Sequence, residues 1–221
     1  MKINIAIDGP SAAGKSSVAD TLAKRLGYIH LDTGAMYRMV AYLCKVKDIS
    51  LDAEDEIVKA LKKADVSFMT DGTIILDGAI INDDIRTEEM SMSASLVSKN
   101  PKVREALVSI QQDIAKDKGY ILDGRDIGTV VLPDAEIKIY LVADPLERAK
   151  RRVLQNKIKG IDSDLEKVFE DIKARDYQDS NRKTSPLKKA QDAILIDTSD
   201  LSQDEVTEKI YEVIKEKIKE G

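Results

Sequence analysis

The stretch GPSAAGKSS, residues 9–17, follows the short apolar run INIAID and decides the fold. It fits the pattern GxxxxGK[ST], in which glycines let the backbone wrap so that its N–H groups face a phosphate chain. The pattern lies directly after a predicted strand and directly before a predicted helix, whose positive end also attracts anions. We therefore predict a site for the phosphates of a nucleoside triphosphate, made by Gly9, Pro10, Ser11, Ala12, Ala13, Gly14, Lys15, Ser16 and Ser17.

Short, mostly β-branched apolar runs recur along the chain, at residues 3–7, 28–31, 120–122, 137–142 and 193–196. Each is typical of a strand buried on both faces. Helical stripes such as Val18, Leu22 and Leu26 separate these strands. Alternating strands and helices predict an α/β fold with a parallel sheet covered on both faces.

The stretch ADVSFMTDGTIILDGAIIN, residues 65–83, breaks this rhythm with two Asp-Gly pairs, at 71–72 and 77–78. Asp-Gly between short apolar segments favours tight hairpin turns, which predicts three antiparallel strands. With the flanking helical stretches they would form an inserted subdomain over about residues 49–100, within one domain whose core is about 1–48 and 101–221. Helix starts are predicted at the capping boxes Ser163/Glu166 and Ser202/Glu205, and at Asp144-Pro145.

Composition excludes several classes of function. The 221 residues carry a net charge of −5, which argues against sequence-independent nucleic-acid binding, because that needs a basic face. One cysteine, Cys44, excludes internal disulfides and multi-cysteine metal sites, and we expect it to be buried. One histidine, His30, is expected to pack in a strand. No leader or membrane span is indicated, so cytoplasm is the default, and nothing demands a dimer, so we predict a monomer.

The phosphate loop alone does not separate switch proteins, motor ATPases and small-molecule kinases. The guanine-reading pattern NKxD is approached only at residues 156–159, where Lys159 replaces the carboxylate. A motor ATPase would normally show adjacent acidic residues directly after an apolar strand. Here the predicted strand at residues 120–122 is followed by DGRD, residues 123–126, in which an arginine stands among the acids. The sequence therefore favours small-molecule chemistry over either of the other classes.

Arginines are the second informative feature, because their planar fork suits phosphate oxygens. One predicted helix face runs Val168, Ile172, Arg175, Asp179, Arg182 and so changes from apolar to charged. It could be leaving the core for a polar cleft, or Asp179 could form salt bridges with its two arginines, and the spacing leaves both open. A further group, Arg148, Arg151 and Arg152, is either a solvated helix face or a flap that lays arginines on a transferring phosphate.

The chain resembles the long-form bacterial cytidylate kinases within the nucleoside monophosphate kinase family. The resemblance runs from the phosphate loop to the last helix and is carried by IDGPSAAGKSS, LDTGAMYR (31–38), PKVREAL (101–107), DGRDIGTVVLPDA (123–135), ERAKRR (147–152) and IKARDYQDSNR (172–182). It implies the three-layer P-loop NTPase fold with a five-stranded parallel sheet. It also implies an inserted α+β nucleotide-binding subdomain and a helical lid at about residues 150–165.

The resemblance also implies a site. ATP with Mg²⁺ would be the donor, with the metal held by Ser16 and reached by Asp123 through water. The acceptor CMP or dCMP would be surrounded by Thr33, Tyr37, Arg38, Ser95, Arg104, Arg125, Asp126, Arg175, Asp179 and Arg182. Catalysis would rest on Lys15, Arg125, Arg148 and Arg152. The implied partners are these nucleotides, without a nucleic acid or a membrane.

Overall fold

Five strands form the main sheet of this computed structural model, which describes residues 2–220. In chain order the strands are β1 (Ile5–Asp8), β2 (Ile29–Asp32), β3 (Val66–Phe68), β4 (Ile74–Leu76), β5 (Ala79–Ile80), β6 (Tyr120–Gly124), β7 (Ile137–Val142) and β8 (Ile194–Asp197). The main sheet has the order β2-β6-β1-β7-β8, and β1 pairs in parallel with both β6 and β7. The predicted five-stranded α/β fold is confirmed.

Helices separate most of these strands. They are α1 (Lys15–Leu26), α2 (Thr33–Val46), α3 (Glu54–Lys63), α4 (Glu88–Val97), α5 (Pro101–Ile114), α6 (Pro145–Ile158), α7 (Leu165–Asn181) and α8 (Gln203–Glu220). The chain divides into two compact units, one made of Met1–Tyr28 with Lys118–Gly221 and the other of Ile29–Asp117. The predicted insert at residues 49–100 falls within the second unit.

The first unit has its core where α1 and α8 cover the central strands. Ile5 and Ile7 of β1 are fully buried against Leu22 of α1 and Ile210 of α8. The prediction that every strand is buried on both faces is wrong for β8, where Leu195 is 56% exposed. The reason is that β8 is an edge strand, which pairs only with β7 in the sheet.

The second unit contains the small antiparallel sheet β3-β4-β5, which confirms the predicted three strands. Asp77 and Gly78 both have positive φ, 49° and 84°, as the tight turn between β4 and β5 requires. Cys44 of α2 is buried as predicted, and burial raises the pKa of its thiol to about 11. This thiol is therefore protonated and unreactive at neutral pH.

Two of the three predicted helix starts are confirmed. Asp144 accepts hydrogen bonds from the N–H groups of the first turn of α6, and Ser202 and Glu205 form the reciprocal capping box before α8. The start predicted at Ser163 is wrong, because Asp164 caps α7 by accepting from the Lys167 N–H at 2.8 Å. A carboxylate one residue later offers the same hydrogen bond.

The turn from β1 into the phosphate loop requires glycine at position 9. Gly9 has φ +150°, and a Cβ there would lie 2.2 Å from the carbonyl oxygen of Leu141 in β7. We expect Gly9→Ala to lower the free energy of unfolding in urea by about 3 kcal/mol, since backbone must move. Gly27→Ala is the matched control, because Gly27 also has positive φ but faces open space, and it should cost only about 1 kcal/mol. Equal losses in the two variants would contradict this reading of Gly9.

Candidate active site

The phosphate loop leads from β1 into the N-terminus of α1. Gly14 precedes the helix in the left-handed conformation, no side chain caps the helix, and its first turn carries no acidic residue. The first N–H groups of a helix have no intrahelical partner and carry partial positive charge. This end of α1 is therefore built to receive an anion.

Lys15 is buried at the start of α1, with 6% of its surface exposed. Its Nζ donates to the carbonyl oxygen of Pro10 at 2.7 Å. Burial, followed by the nearby positive charge of Arg125, lowers the pKa of Lys15 to about 7, although Asp123 and Asp8 oppose this shift. An ammonium in such surroundings gains strongly from an added anion, as a polyphosphate would provide.

Ser16 and Asp123 form the candidate magnesium site. The Ser16 hydroxyl donates to the Asp123 carboxylate at 2.8 Å, and Asp123, in β6, is buried. A hydroxyl and a carboxylate are hard oxygen ligands of the kind Mg²⁺ prefers, and Mg²⁺ at nucleotide sites takes its other ligands from phosphates and water. Over residues 2–220 the structure has no cluster of three or more His, Cys, Asp or Glu that could hold a metal ion. The two residues thus fit an ion that arrives with its nucleotide.

Two acids and two arginines meet where β6 ends and α7 ends. Arg125 Nε donates to Asp179 at 2.8 Å, and Arg182 donates to Asp126 at 3.4 Å. Asp179 and Arg182, three residues apart, are 4.0 Å from each other, so the short contact of Asp179 is with Arg125. The structure thus brings together four of the predicted acceptor residues of this unit. Within the α7 face, the salt bridge from Asp179 to Arg182 is therefore a longer contact than the one from Asp179 to Arg125.

Electrostatics keep Asp179 and Arg125 ionised. Burial alone would raise the pKa of Asp179, but Arg125, Arg175 and Arg182 outweigh it and hold that pKa below its usual value. Burial would lower the pKa of Arg125, and Asp179 and Asp123 outweigh it in turn. Guanidiniums fixed by carboxylates in this way are held in place for a further anion without needing to reorganise.

Arg148 was predicted as a catalytic arginine of the lid, and here it is buried beside the phosphate loop. Its guanidinium donates to the carbonyl oxygens of Ser11 and Ala143, each at 3.0 Å. It also forms an ion pair with Asp176 at 2.6 Å, and Asp176 accepts the Ser11 N–H at 3.3 Å. Arg148 and Asp176 therefore join α6, α7 and the phosphate loop. The role of Arg148 on a transferred phosphate stays a prediction.

The other two arginines of this group lie further along α6. Arg151 donates to the Thr198 hydroxyl at 3.1 Å and also bonds the Thr198 carbonyl oxygen, which anchors the helix to the segment after β8. Arg152 is half-buried, and its catalytic role stays a prediction. Sequence reasoning missed Asp176, although it follows Arg175 directly within the IKARDYQDSNR stretch.

The second unit holds the other five predicted acceptor residues, and Arg38 and Tyr37 of α2 are two of them. Asp32 caps this helix through the Ala35 N–H at 2.9 Å and forms an ion pair with Arg38 at 2.8 Å. The Arg104 guanidinium lies 5.4 Å from the centre of the Tyr37 ring. Sequence reasoning missed Asp32, whose position just before a helix could have indicated a cap.

Two further predicted residues lie in this unit. Thr33, the first residue of α2, is buried, and Ser95 is half-buried on α4. Arg104 also donates to the carbonyl oxygen of Ser98 at 3.2 Å, so its guanidinium is held from two sides. All five predicted residues of this unit therefore sit in structured, at least partly buried surroundings.

Comparison with known sequences decides the family. The family model described as cytidylate kinase matches residues 5–216. The chain belongs to the cytidylate kinase family. A cytidylate kinase from Caldanaerobacter subterraneus subsp. tengcongensis is 49% identical over 99% of this chain and 97% of its own length. A cytidylate kinase from Geobacillus sp. (strain WCH70) is 47% identical over 98% of each chain. Membership confirms the resemblance and makes the chain an ATP-dependent kinase.

Solved structures agree on the fold of this cytidylate kinase family member. An uncharacterised protein from Eubacterium ventriosum ATCC 27560 superposes with a TM-score of 0.55 at 14% identity, covering 97% of this chain and 99% of its own. A shikimate kinase from Bacteroides thetaiotaomicron gives a TM-score of 0.50 at 11% identity, covering 97% of this chain and 99% of its own.

Within residues 2–220, none of the helices combines the length and the apolar character needed to cross a bilayer.

Proposed function

We propose that this protein transfers the γ-phosphoryl group of ATP to CMP or dCMP, giving ADP and CDP or dCDP. The observation that carries the proposal is one unit of the chain holding both a phosphate loop with Lys15 and an ordered set of guanidiniums at Arg125 and Arg182. The first suits a triphosphate and the second a monophosphate. Membership in the cytidylate kinase family supports this acceptor.

On the donor side, the loop N–H groups and Lys15 would hold the ATP phosphates. Ser16 and Asp123 would hold Mg²⁺, which when bound neutralises charge on the β- and γ-phosphates. Lys15, with a pKa near 7 in the present surroundings, would take up a proton more readily once these phosphates arrive. The ammonium would then sit beside the phosphoryl group that is transferred.

On the acceptor side, Arg125 and Arg182 would bind the CMP phosphate. Asp179 fixes Arg125 and would contact the sugar in a way that admits the 2′-deoxy form. Asp126 fixes Arg182, and Arg175 adds positive charge to the same cluster. In the second unit we propose further CMP contacts from Thr33, Tyr37, Arg38, Ser95 and Arg104.

The reaction needs no strong general base, since the attacking phosphate oxygen of CMP is already anionic. The cost lies in bringing two polyanions together and in stabilising charge on the equatorial oxygens of the transferred group. Fixed cations and positioning lower this barrier. We propose that Arg148, already held beside the phosphate loop, acts on the transferred phosphoryl group, and that Arg152 joins it when the lid over residues 150–165 closes and excludes water.

A panel of nucleoside monophosphates tests the proposed acceptor. With MgATP, we expect CMP and dCMP to give ADP at least about tenfold faster per enzyme than AMP, GMP or dTMP, because pockets that hydrogen-bond a base reject others strongly. ADP release would be followed by a coupled assay and CDP identified by chromatography. Faster turnover of another acceptor would contradict the substrate, and ATP binding without acceleration by any monophosphate would favour a nucleotide sensor.

We further propose that the protein works as a monomer in the cytoplasm, where its nucleotide substrates are found. Each proposed contact comes from one chain. Light scattering after size exclusion, with and without both nucleotides, measures the mass of the particle, for which a chain mass of 24.5 kDa is the reference. A mass near twice this value would contradict a monomer.

A further inference from the structure

Asp8 is a buried carboxylate to which the proposed chemistry gives no substrate contact. It ends β1, directly before the phosphate loop, and is 3% exposed. One carboxylate oxygen accepts the Ile127 N–H at 2.8 Å and the other accepts the Gly128 N–H at 2.7 Å. Both oxygens therefore bind the same short segment. Its two donor residues lie 119 and 120 residues further along the chain than Asp8.

The segment that Asp8 binds is the turn that follows β6. Residues Ile127–Val131 form a single π-helical turn, in which the Val130 and Val131 N–H groups donate to the carbonyl oxygen of Asp126. Single π turns are rare and often lie at functional sites. The residues just before this turn are Arg125 and Asp126, both within the charged cluster assigned to the acceptor. Fixing the first two N–H groups of the turn therefore fixes where these two residues leave the sheet.

Gly128 packs closely against Lys138 and is in ordinary contact with Asp8. A Cβ at position 128 would lie 3.4 Å from an Asp8 oxygen and 3.1 Å from Cδ of Lys138, whose stem runs beneath the turn from β7. The Lys138 ammonium is held at the far side by Asp192 at 2.8 Å. The turn thus packs against Lys138, which Asp192 holds, and is hydrogen-bonded to Asp8.

The charge of Asp8 changes within the range in which the enzyme can be assayed. Burial raises the pKa of Asp8 to about 6, although the Gly128 and Ile127 N–H groups oppose this shift. The charged groups that act on it are Asp126 and Lys15, and Tyr140 of β7 is the third titratable neighbour. Below this pH a proton would occupy one oxygen and weaken one of the two hydrogen bonds.

We propose that Asp8 is a positioning residue, which through its two hydrogen bonds holds Arg125 and Asp126 in the orientation that binds the acceptor nucleotide. This inference rests on the proposed function. It gives Asp8 no contact with either nucleotide. Its effect is on the acceptor side, because the turn that it holds directly follows Arg125 and Asp126 and contains none of the loop residues assigned to ATP.

Asp8→Asn tests the proposal, because asparagine keeps the shape but presents only one acceptor oxygen. We expect kcat/KM for CMP to fall about tenfold, while KM for ATP stays within about twofold, on the scale of one lost hydrogen bond to a charged group. Asp20→Asn is the matched control. It removes an exposed carboxylate of the same chemistry that bonds Lys24 on α1, and its kinetics should equal those of the native protein. Equal losses toward both substrates, or none, would overturn the proposal.

The pH dependence separates positioning from a general loss of structure. The ratio of native to Asp8→Asn kcat/KM for CMP should rise from near one at pH 5 to its full value at pH 8, with its midpoint near the Asp8 pKa of about 6. Ionisation of the CMP phosphate cancels in this ratio, because both enzymes use the same substrate. Ionisation of Lys15 does not cancel, since Asp8 raises the pKa of Lys15, so the same ratio is measured for kcat/KM of ATP and should change much less with pH than the ratio for CMP. A ratio that does not change with pH would contradict the role of the carboxylate charge.

Hydrogen exchange gives a readout that does not need activity. In Asp8→Asn, without nucleotide, the amides of residues 127–131 should exchange at least about tenfold faster than in the native protein, whereas those of β7 should not change. Unchanged exchange would overturn the proposal that Asp8 holds this turn. If exchange rises but no monophosphate is phosphorylated by the native protein, Asp8 still holds the turn and the proposed function fails.

Discussion

Lys15→Ala is expected to lower kcat at least about a hundredfold, the scale of one lost electrostatic stabiliser of a transition state. The Lys15 ammonium is buried in the phosphate loop, among Asp8, Asp123 and Arg125, where a transferred phosphoryl group would gain most from it. Turnover would be measured as CMP-dependent ADP release at saturating MgATP. Near-normal turnover would reject the role assigned to Lys15.

Lys24→Ala is the matched control for this variant. Lys24 belongs to the same helix, its side chain is 76% exposed, and its partner is Asp20 at 2.7 Å. Exposed pairs of this kind contribute little, so kcat should stay within about twofold of the native value. A large loss in Lys24→Ala would mean that the assay reports the integrity of α1 rather than the loop ammonium.

Stability gives an independent check on Lys15. Because its pKa is lowered to about 7 from an ordinary 10.5, the folded protein binds this proton more weakly than the unfolded chain does. The buried charge of Lys15 therefore destabilises the fold fully below pH 7, and this effect disappears as the pH rises to 10.5, the ordinary pKa of lysine. In Lys15→Met, which keeps the apolar stem, the thermal midpoint relative to the native protein should be higher at pH 6 than at pH 9. The opposite order would contradict the burial of a charged ammonium.

Local sequence patterns predicted the parts of the fold that local chemistry decides. The phosphate loop was found because Gly9 and Gly14 meet a steric need within a few residues, and the small sheet because Asp77-Gly78 suits a tight turn. The proximity of Arg125 to the end of α7 was implied only by the family resemblance, because the spacing of the charged face of α7 left two interpretations open. The family resemblance supplied the rest of the site.

Tertiary contacts explain what the sequence left undecided. Arg148 reaches the carbonyl oxygen of Ser11 across 137 residues, and Asp8 binds amides 119 residues away, so no spacing rule could pair them. The exposure of Leu195 depends on β8 being an edge strand, which is a property of strand order. Apolar periodicity indicates that a strand exists and leaves its place in the sheet open.

Arg125→Met is the second variant from which we expect a loss of at least about a hundredfold, here in kcat/KM for CMP, because it removes a fixed cation from a desolvated anion site. Arg25→Met is the matched control. Arg25 lies on the exposed face of α1 and pairs with Glu208 of α8, so kcat/KM for CMP should not change measurably in this variant.

Asp179→Asn and the double variant then distinguish two explanations. If Arg125 acts only by holding Asp179, its substitution should cost nothing further in the Asp179→Asn background. If the guanidinium itself binds the CMP phosphate, most of the hundredfold loss should persist there, because that contact does not pass through the carboxylate.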